Sequence, residues 1–143
     1  MTKTIKTVII DDETDAVDFI NTIIGEYCPS LKVVGKAHNV LQGVDVINES
    51  KPDLVFLDVE MPNGSGFDLL SRYPQKDFDV IFITAFNHYA VRAIKFSAVD
   101  YILKPININE FIEAVNRVVM KRAEKSHNSN DNFRVLMENL RTP

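Results

Sequence analysis

The chain has 143 residues, 45% hydrophobic and 25% charged, ordinary proportions for one globular domain. A formal net charge of −4 argues against this piece gripping nucleic acid by itself, and no apolar run approaches the ~18 residues of a membrane span. A lone cysteine, Cys28, excludes an internal disulfide, and with no signal-like segment after Met1 the expected location is cytoplasmic.

The first apolar run, Val8-Ile9-Ile10, is β-branched and ends at the acidic triplet Asp11-Asp12-Glu13. Ala16, Phe19, Ile20, Ile23, Ile24 and Tyr27 then recur at helical spacing, with Thr14 or Asp15 available as a cap and Pro29 as a stop. Leu31 to Ala37 predicts a second strand. Val40, Leu41, Val44 and Ile47 predict a second helix capped by Asn39. Leu54-Val55-Phe56-Leu57 is too short for a helix and reads as a strand buried on both faces; Pro62 forces it to end near Asp58. After the turn Asn63-Gly64-Ser65-Gly66, the residues Phe67, Leu69 and Leu70 open a third helix that Pro74 limits. Val80 to Ile83 predicts a fourth strand ending at Thr84-Ala85, and Tyr89, Ala90, Ala93, Ile94 and Phe96 a modest helix. Val99 to Leu103 predicts a fifth strand ending at Lys104-Pro105, and Ile108, Phe111, Ile112, Val115, Val118 and Val119 a long final helix.

Strands that are short apolar runs alternating with helices imply a parallel sheet covered on both faces. The expected fold class is α/β: a doubly wound, flavodoxin-like (βα)5 arrangement whose five-stranded parallel sheet has the order 2-1-3-4-5. From Glu124 to Asn132 the composition turns polar, as in a linker, and Phe133, Leu136, Met137 and Leu140 then start another apolar stripe. That stripe is too short to be stable without a partner surface.

In this topology the strand ends collect Asp11 and Asp12, Asp58, Thr84 and Lys104 on one rim. Singly, each reads as a cap or a turn residue; together they are specific. Clustered carboxylates repel unless a cation joins them, and oxygen ligands without His or Cys suit a hard ion such as Mg²⁺. Such a rim can hold a phosphoryl group, with the lysine and hydroxyl on its oxygens and a carboxylate in line as nucleophile.

Ile9-Ile10-Asp11-Asp12-Glu13, Leu57-Asp58-Val59-Glu60-Met61-Pro62 with Gly66, Ile83-Thr84-Ala85 and Asp100-Tyr101-Ile102-Leu103-Lys104-Pro105 resemble the receiver domain of two-component response regulators. The likeness runs from Lys6 to Ala123, so the expected receiver domain is 1–123. Residues 124–143 are then a polar linker and the start of a helix connecting to an output domain not present in this sequence. The resemblance implies that Asp58 accepts a phosphoryl group from a sensor histidine kinase, with Lys104 and Thr84 on the phosphoryl oxygens. It implies Mg²⁺, for which Mn²⁺ can substitute, held by Asp11, Asp12, Asp58 and the backbone carbonyl of Glu60. It further implies Thr84 and Tyr101 as the switch, a cis Lys104-Pro105 bond, and dimerisation through the fourth helix, fifth strand and fifth helix on phosphorylation. Such a protein is not an enzyme beyond catalysing its own phosphorylation and dephosphorylation.

Thr84-Ala85-Phe86-Asn87-His88-Tyr89-Ala90 and Ala98-Val99-Asp100-Tyr101 look like the narrower group joined to a LytTR-type DNA-binding domain. DNA contact would then lie with that output domain, acting in transcription regulation. Gly64 stands where the family more often has a larger apolar residue, which is expected to loosen the loop after Asp58. A rival reading is a phosphohydrolase forming an aspartyl-phosphate, with Asp58-Val59-Glu60 as its nucleophile and acid; Met61-Pro62, following at once, leaves it little room for a substrate loop. An FMN module shares the fold class, but the acidic first turn lacks a phosphate cradle. His38, His88 and His127 show no ligand spacing and read as surface residues, and Phe19, Phe82, Phe96 and Phe111 as core.

Overall fold

The computed structural model describes residues 4–141, with side chains described through Glu124. In chain order the elements are β1 (Ile5–Ile10), α1 (Thr14–Tyr27), β2 (Leu31–Ala37), α2 (Val40–Ser50), β3 (Leu54–Leu57), α3 (Gly66–Leu70), β4 (Asp79–Thr84), α4 (Ala90–Lys95), β5 (Asp100–Leu103) and α5 (Ile108–Arg141). A small antiparallel hairpin, Glu60–Met61 against Gly64–Ser65, lies between β3 and α3. The main sheet has the order β2-β1-β3-β4-β5 with every pair parallel, as the apolar runs predict.

Side chains alternate across a strand, so two cores form. On one face Ile5, Ile9, Phe56, Ile81, Ile83 and Ile102 pack against α1 and α5, where the Phe56 and Phe111 rings stack at 5.0 Å. On the other, Val8, Ile10, Val55, Leu57, Val80 and Phe82 pack against α2, α3 and α4. Strands buried on both faces must be apolar throughout, which is why Leu54 to Leu57 carries no polar residue.

Four expectations need correction. The buried stripe of α1 is Val17, Ile20, Ile23 and Ile24, and Phe19 and Tyr27 point outward, 46% and 48% exposed. Neither Thr14 nor Asp15 caps α1. Glu13 holds that position without a side-chain bond, and the Asp11 carboxylate accepts from the Glu13 N–H instead. On α4 only Ala93 is buried, while Ile94 is 74% exposed. Gly64 does not slacken its loop. Its φ of +146° suits glycine alone, and an added Cβ would lie 2.8 Å from Val40 Cγ2.

Asn39 caps α2 as expected, its side chain accepting from the Gln42 N–H. The polar stretch from Glu124 to Asn132 is continuous helical backbone within α5. The stripe Phe133, Leu136, Met137 and Leu140 lies outside the described side chains. No described helix is long and apolar enough to cross a membrane.

Candidate functional site

The parallel register sets the carboxyl ends of β1, β3, β4 and β5 side by side, pairing Ile10 with Leu57, Leu57 with Phe82 and Thr84 with Leu103. Ladder hydrogen bonds continue past the strands and hold the next residues in place: Asp11 N–H to Ala37 at 3.1 Å, Asp58 N–H to Ile10 at 3.0 Å, and Lys104 N–H to Thr84 at 2.8 Å. The residue after each apolar run is therefore fixed by the sheet rather than left to a mobile loop. Gly66 comes close behind Asp58. Its N–H donates to Val59 at 2.8 Å, and a Cβ there would sit 2.4 Å from the Asp58 carbonyl oxygen.

Lys104 is the centre of charge. Its Nζ lies 2.8 Å from Asp11 Oδ2, 3.2 Å from Asp58 Oδ2 and 3.3 Å from Glu13 Oε1. The peptide bond that follows it, to Pro105, is cis. Burial works against the ammonium, but its bonds to Asp11 and Asp58 and their negative charges win, raising its pKa above the usual lysine range. Asp11 moves the other way from a normal carboxylate. Burial, with the charge of Asp58 adding to it, lifts its pKa to about 6 despite the bonds from Lys104 and the Glu13 N–H.

Oxygens of Asp11, Asp12, Glu13 and Asp58 all lie within 4.8 Å of one another, with Asp11 and Asp58 buried and Asp12 and Glu13 exposed. Asp58 Oδ1 and the fully buried Thr84 Oγ1 have no hydrogen-bond partner in the protein. Buried polar atoms without partners are rare, and here two stand on adjacent strand ends. An all-oxygen, strongly anionic set with a spare buried carboxylate oxygen fits a hard divalent cation.

The structure thus brings Asp11, Asp12, Asp58 and Lys104 together and places Thr84 at the neighbouring strand end. Glu60 is exposed and opens the small hairpin, with its side chain outside the carboxylate cluster. Tyr101 is half-buried beside Phe82 and donates its hydroxyl to the Phe86 carbonyl; burial raises its pKa. Two participants escape sequence reasoning. Glu13 belongs to the cluster and reaches Lys104; its only signal is its place in the acidic triplet. His38, read from sequence as a surface residue, is half-buried with Nδ1 3.0 Å from the Asp11 carbonyl oxygen, and nothing in its surroundings along the chain announces it. His88 is exposed as expected, and the His127 side chain lies outside the described residues.

Residues 7–116 match the family of the response regulator receiver domain. The chain is 36% identical over 120 residues to an uncharacterized response regulatory protein of Vibrio cholerae, an alignment covering 83% of this chain and 50% of that protein. It is 31% identical over 122 residues to the transcriptional regulatory protein BtsR of Escherichia coli, covering 85% of this chain and 51% of that one. The chain therefore spans about half the length of the curated relatives it matches. Among solved structures, the REC domain of AraT, a response regulator from Geobacillus stearothermophilus, superposes with a TM-score of 0.77 at 27% identity, covering 88% of this chain and 99% of that one. Matched over most of its length and folded as the flavodoxin-like sheet that such domains share, the chain belongs to the family of response regulator receiver domains.

Proposed function

We propose that Asp58 is the phosphoacceptor of this receiver domain, taking its phosphoryl group from a phosphohistidine on a sensor kinase. The observation that carries this reading is the Lys104 ammonium set 3.2 Å from one oxygen of a buried Asp58 whose other oxygen has no partner. An Asp58 oxygen forms the bond to phosphorus as the bond to the donor imidazole breaks, and the imidazole leaves with the electron pair and is protonated. Lys104 balances charge on the transferred group, and the Thr84 hydroxyl donates to one of its oxygens. Asp11, Asp12 and Asp58, with the Glu60 backbone carbonyl, would hold Mg²⁺, or Mn²⁺ in its place; when bound, the ion neutralises charge on the phosphoryl oxygens. The domain turns over only its own phosphoryl group and is not an enzyme acting on other substrates.

Phosphorylation adds close to one further negative charge at Asp58. Thr84 bonds to the new group, and Tyr101 leaves the Phe86 carbonyl for the space beside β4. The face of α4, β5 and α5 changes shape and pairs with a second copy. Val91 and Ile94, 71% and 74% exposed, and Leu103, 42% exposed, supply apolar area for that contact. The output we infer for such a domain, for which relatives about twice this length leave room, is LytTR-type transcription regulation.

Incubation with acetyl phosphate and Mg²⁺ should add one phosphoryl mass to the intact wild-type protein and none to Asp58→Asn. A label that persists in the Asn variant overturns the assignment. Continuous hydrolysis of a generic phosphate ester, depending on Glu60, would replace it with the phosphohydrolase reading.

A further inference from the structure

Asp11 is gripped at every backbone polar atom. Its N–H donates to the Ala37 carbonyl at 3.1 Å, and one carboxylate oxygen accepts from the Glu13 N–H at 2.9 Å. Its carbonyl oxygen is met by the His38 ring at 3.0 Å. A carbonyl only accepts, so the imidazole donates and carries its proton on Nδ1. That carbonyl belongs to the peptide linking Asp11 to Asp12. The peptide unit is planar, so fixing its oxygen sets the direction in which the chain leaves Asp11 and presents Asp12.

His38 is itself held. It follows Ala37 at the end of β2, its own N–H donates to Gln42 Oε1 at 3.0 Å, and the Gln42 N–H donates to the Asn39 side chain at 2.8 Å. Gln42 thus pins the two residues of the β2–α2 turn at once, and the imidazole reaches across the sheet edge to β1. The Asn39 and Gln42 bonds cap α2 and close this turn, whereas the ring of His38 is used outside it. Its one inter-element product is a fixed Asp11–Asp12 peptide.

We propose that His38 is a positioning residue for the acid pair, holding the Asp11–Asp12 peptide in the orientation that lets both carboxylates bind a divalent cation. The inference rests on the cation-assisted phosphoacceptor reading above. Groups that orient a metal's ligands without touching the metal typically govern its affinity by 10–100-fold. One neutral hydrogen bond to a backbone carbonyl should act at the low end, about tenfold.

The test is Mg²⁺ titration of the intact chain followed by backbone amide NMR shifts, on wild type, His38→Ala and His38→Asn. Asn carries a donor nitrogen at the same distance from its Cβ as Nδ1 of histidine. Expected are an affinity about tenfold weaker for His38→Ala, recovery in His38→Asn, and a ring ¹⁵N spectrum of the wild type showing the proton on Nδ1. Thermal midpoints without Mg²⁺, taken on all three, separate positioning from stability, because a purely structural role lowers the midpoint and leaves the affinity in place. Equal affinity in all three proteins, or weakening in both variants alike, overturns the proposal while the phosphoacceptor reading stands. A wild type that binds no Mg²⁺ but is still labelled at Asp58 overturns the cation step and this proposal with it.

Discussion

The two ends of the sheet are both charged and are built to opposite rules. At the amino-terminal rim Asp79, only 12% exposed, pairs with Lys121 at 2.7 Å and with Arg122 Nε at 3.0 Å, and Arg122 also reaches Asp53 at 3.5 Å. Asp53 in turn accepts from the Lys6 N–H at 2.9 Å. There acids and bases match in charge, although the buried Arg122 Nε meets Asp79 without hydrogen-bond geometry. At the carboxyl-terminal rim four acids face one lysine, and two buried polar atoms, Asp58 Oδ1 and Thr84 Oγ1, are left without partners. The first arrangement stabilises the fold, whereas the second costs stability and stores a demand for positive charge and for an acceptor.

The most disruptive way to probe this contrast acts on backbone geometry. Gly66→Ala places a Cβ 2.4 Å from the Asp58 carbonyl and 3.0 Å from Leu57 Cγ, and the nearer obstacle is backbone on a central strand end that cannot turn aside. A cost of about 3 kcal/mol in urea unfolding is expected. The same change at Gly25, near the end of α1, meets nothing within 4 Å and should stabilise by about 0.5 kcal/mol. Equal midpoints for the two variants would show that the Asp58 loop shifts freely, and the rim would lose its claim to be pre-set.

Removing one acid from each rim should give opposite signs. Asp79→Asn breaks two ion pairs of a nearly buried carboxylate and is expected to destabilise by about 1–2 kcal/mol. Asp11 is different because its pKa in the folded chain is raised from 3.8 to about 6, chiefly by burial. Between those values the folded state holds the proton and the unfolded state has released it, so stability falls as pH rises from about 4 to about 6 and then levels off. Asp11→Asn removes that loss. Relative to wild type it should be more stable at pH 7 than below pH 4 in the metal-free protein, the loss of the Lys104 ion pair working against the gain. Because the cation competes with the same proton, wild-type Mg²⁺ affinity should weaken as pH drops through about 6. Coincident unfolding curves for wild type and Asp11→Asn at pH 7 would falsify the claim that this rim is held at a cost.

What the sequence discloses follows the same division. Strand runs such as Leu54 to Leu57 are legible because burial on both faces leaves no polar residue, and the terminal Asp58 and Lys104 are legible because each closes such a run. The Asn39 cap is equally local. The face of α1 is not legible, since Phe19 adjoins Ile20, and which of two neighbouring apolar residues turns inward depends on how the helix sits on the sheet. The network at the amino-terminal rim is invisible for another reason. Arg122 reaches back to Asp53 across 69 positions, and no spacing rule connects them. His38 and Glu13 join the site through side chains crossing between elements, which only three-dimensional placement reveals.

The smallest effect is the most informative about the carboxyl-terminal rim. Thr84 is fully buried on the last residue of β4, and its hydroxyl has no partner in the unphosphorylated chain. A buried hydroxyl in that state has lost water and gained nothing, so replacing it with a methyl of the same shape removes a desolvation penalty. Thr84→Val should therefore leave the unphosphorylated protein as stable as wild type or up to about 1 kcal/mol more stable, which equilibrium urea unfolding resolves. In the proposed acyl-phosphate form the balance should invert, because the hydroxyl would then have an anionic oxygen to donate to and valine would not. The variant should still be labelled at Asp58 by acetyl phosphate, yet gain less stability from the label than wild type does. A Thr84→Val protein destabilised before labelling would mean that the hydroxyl already has a partner, and the demand ascribed to this rim would rest on Asp58 alone.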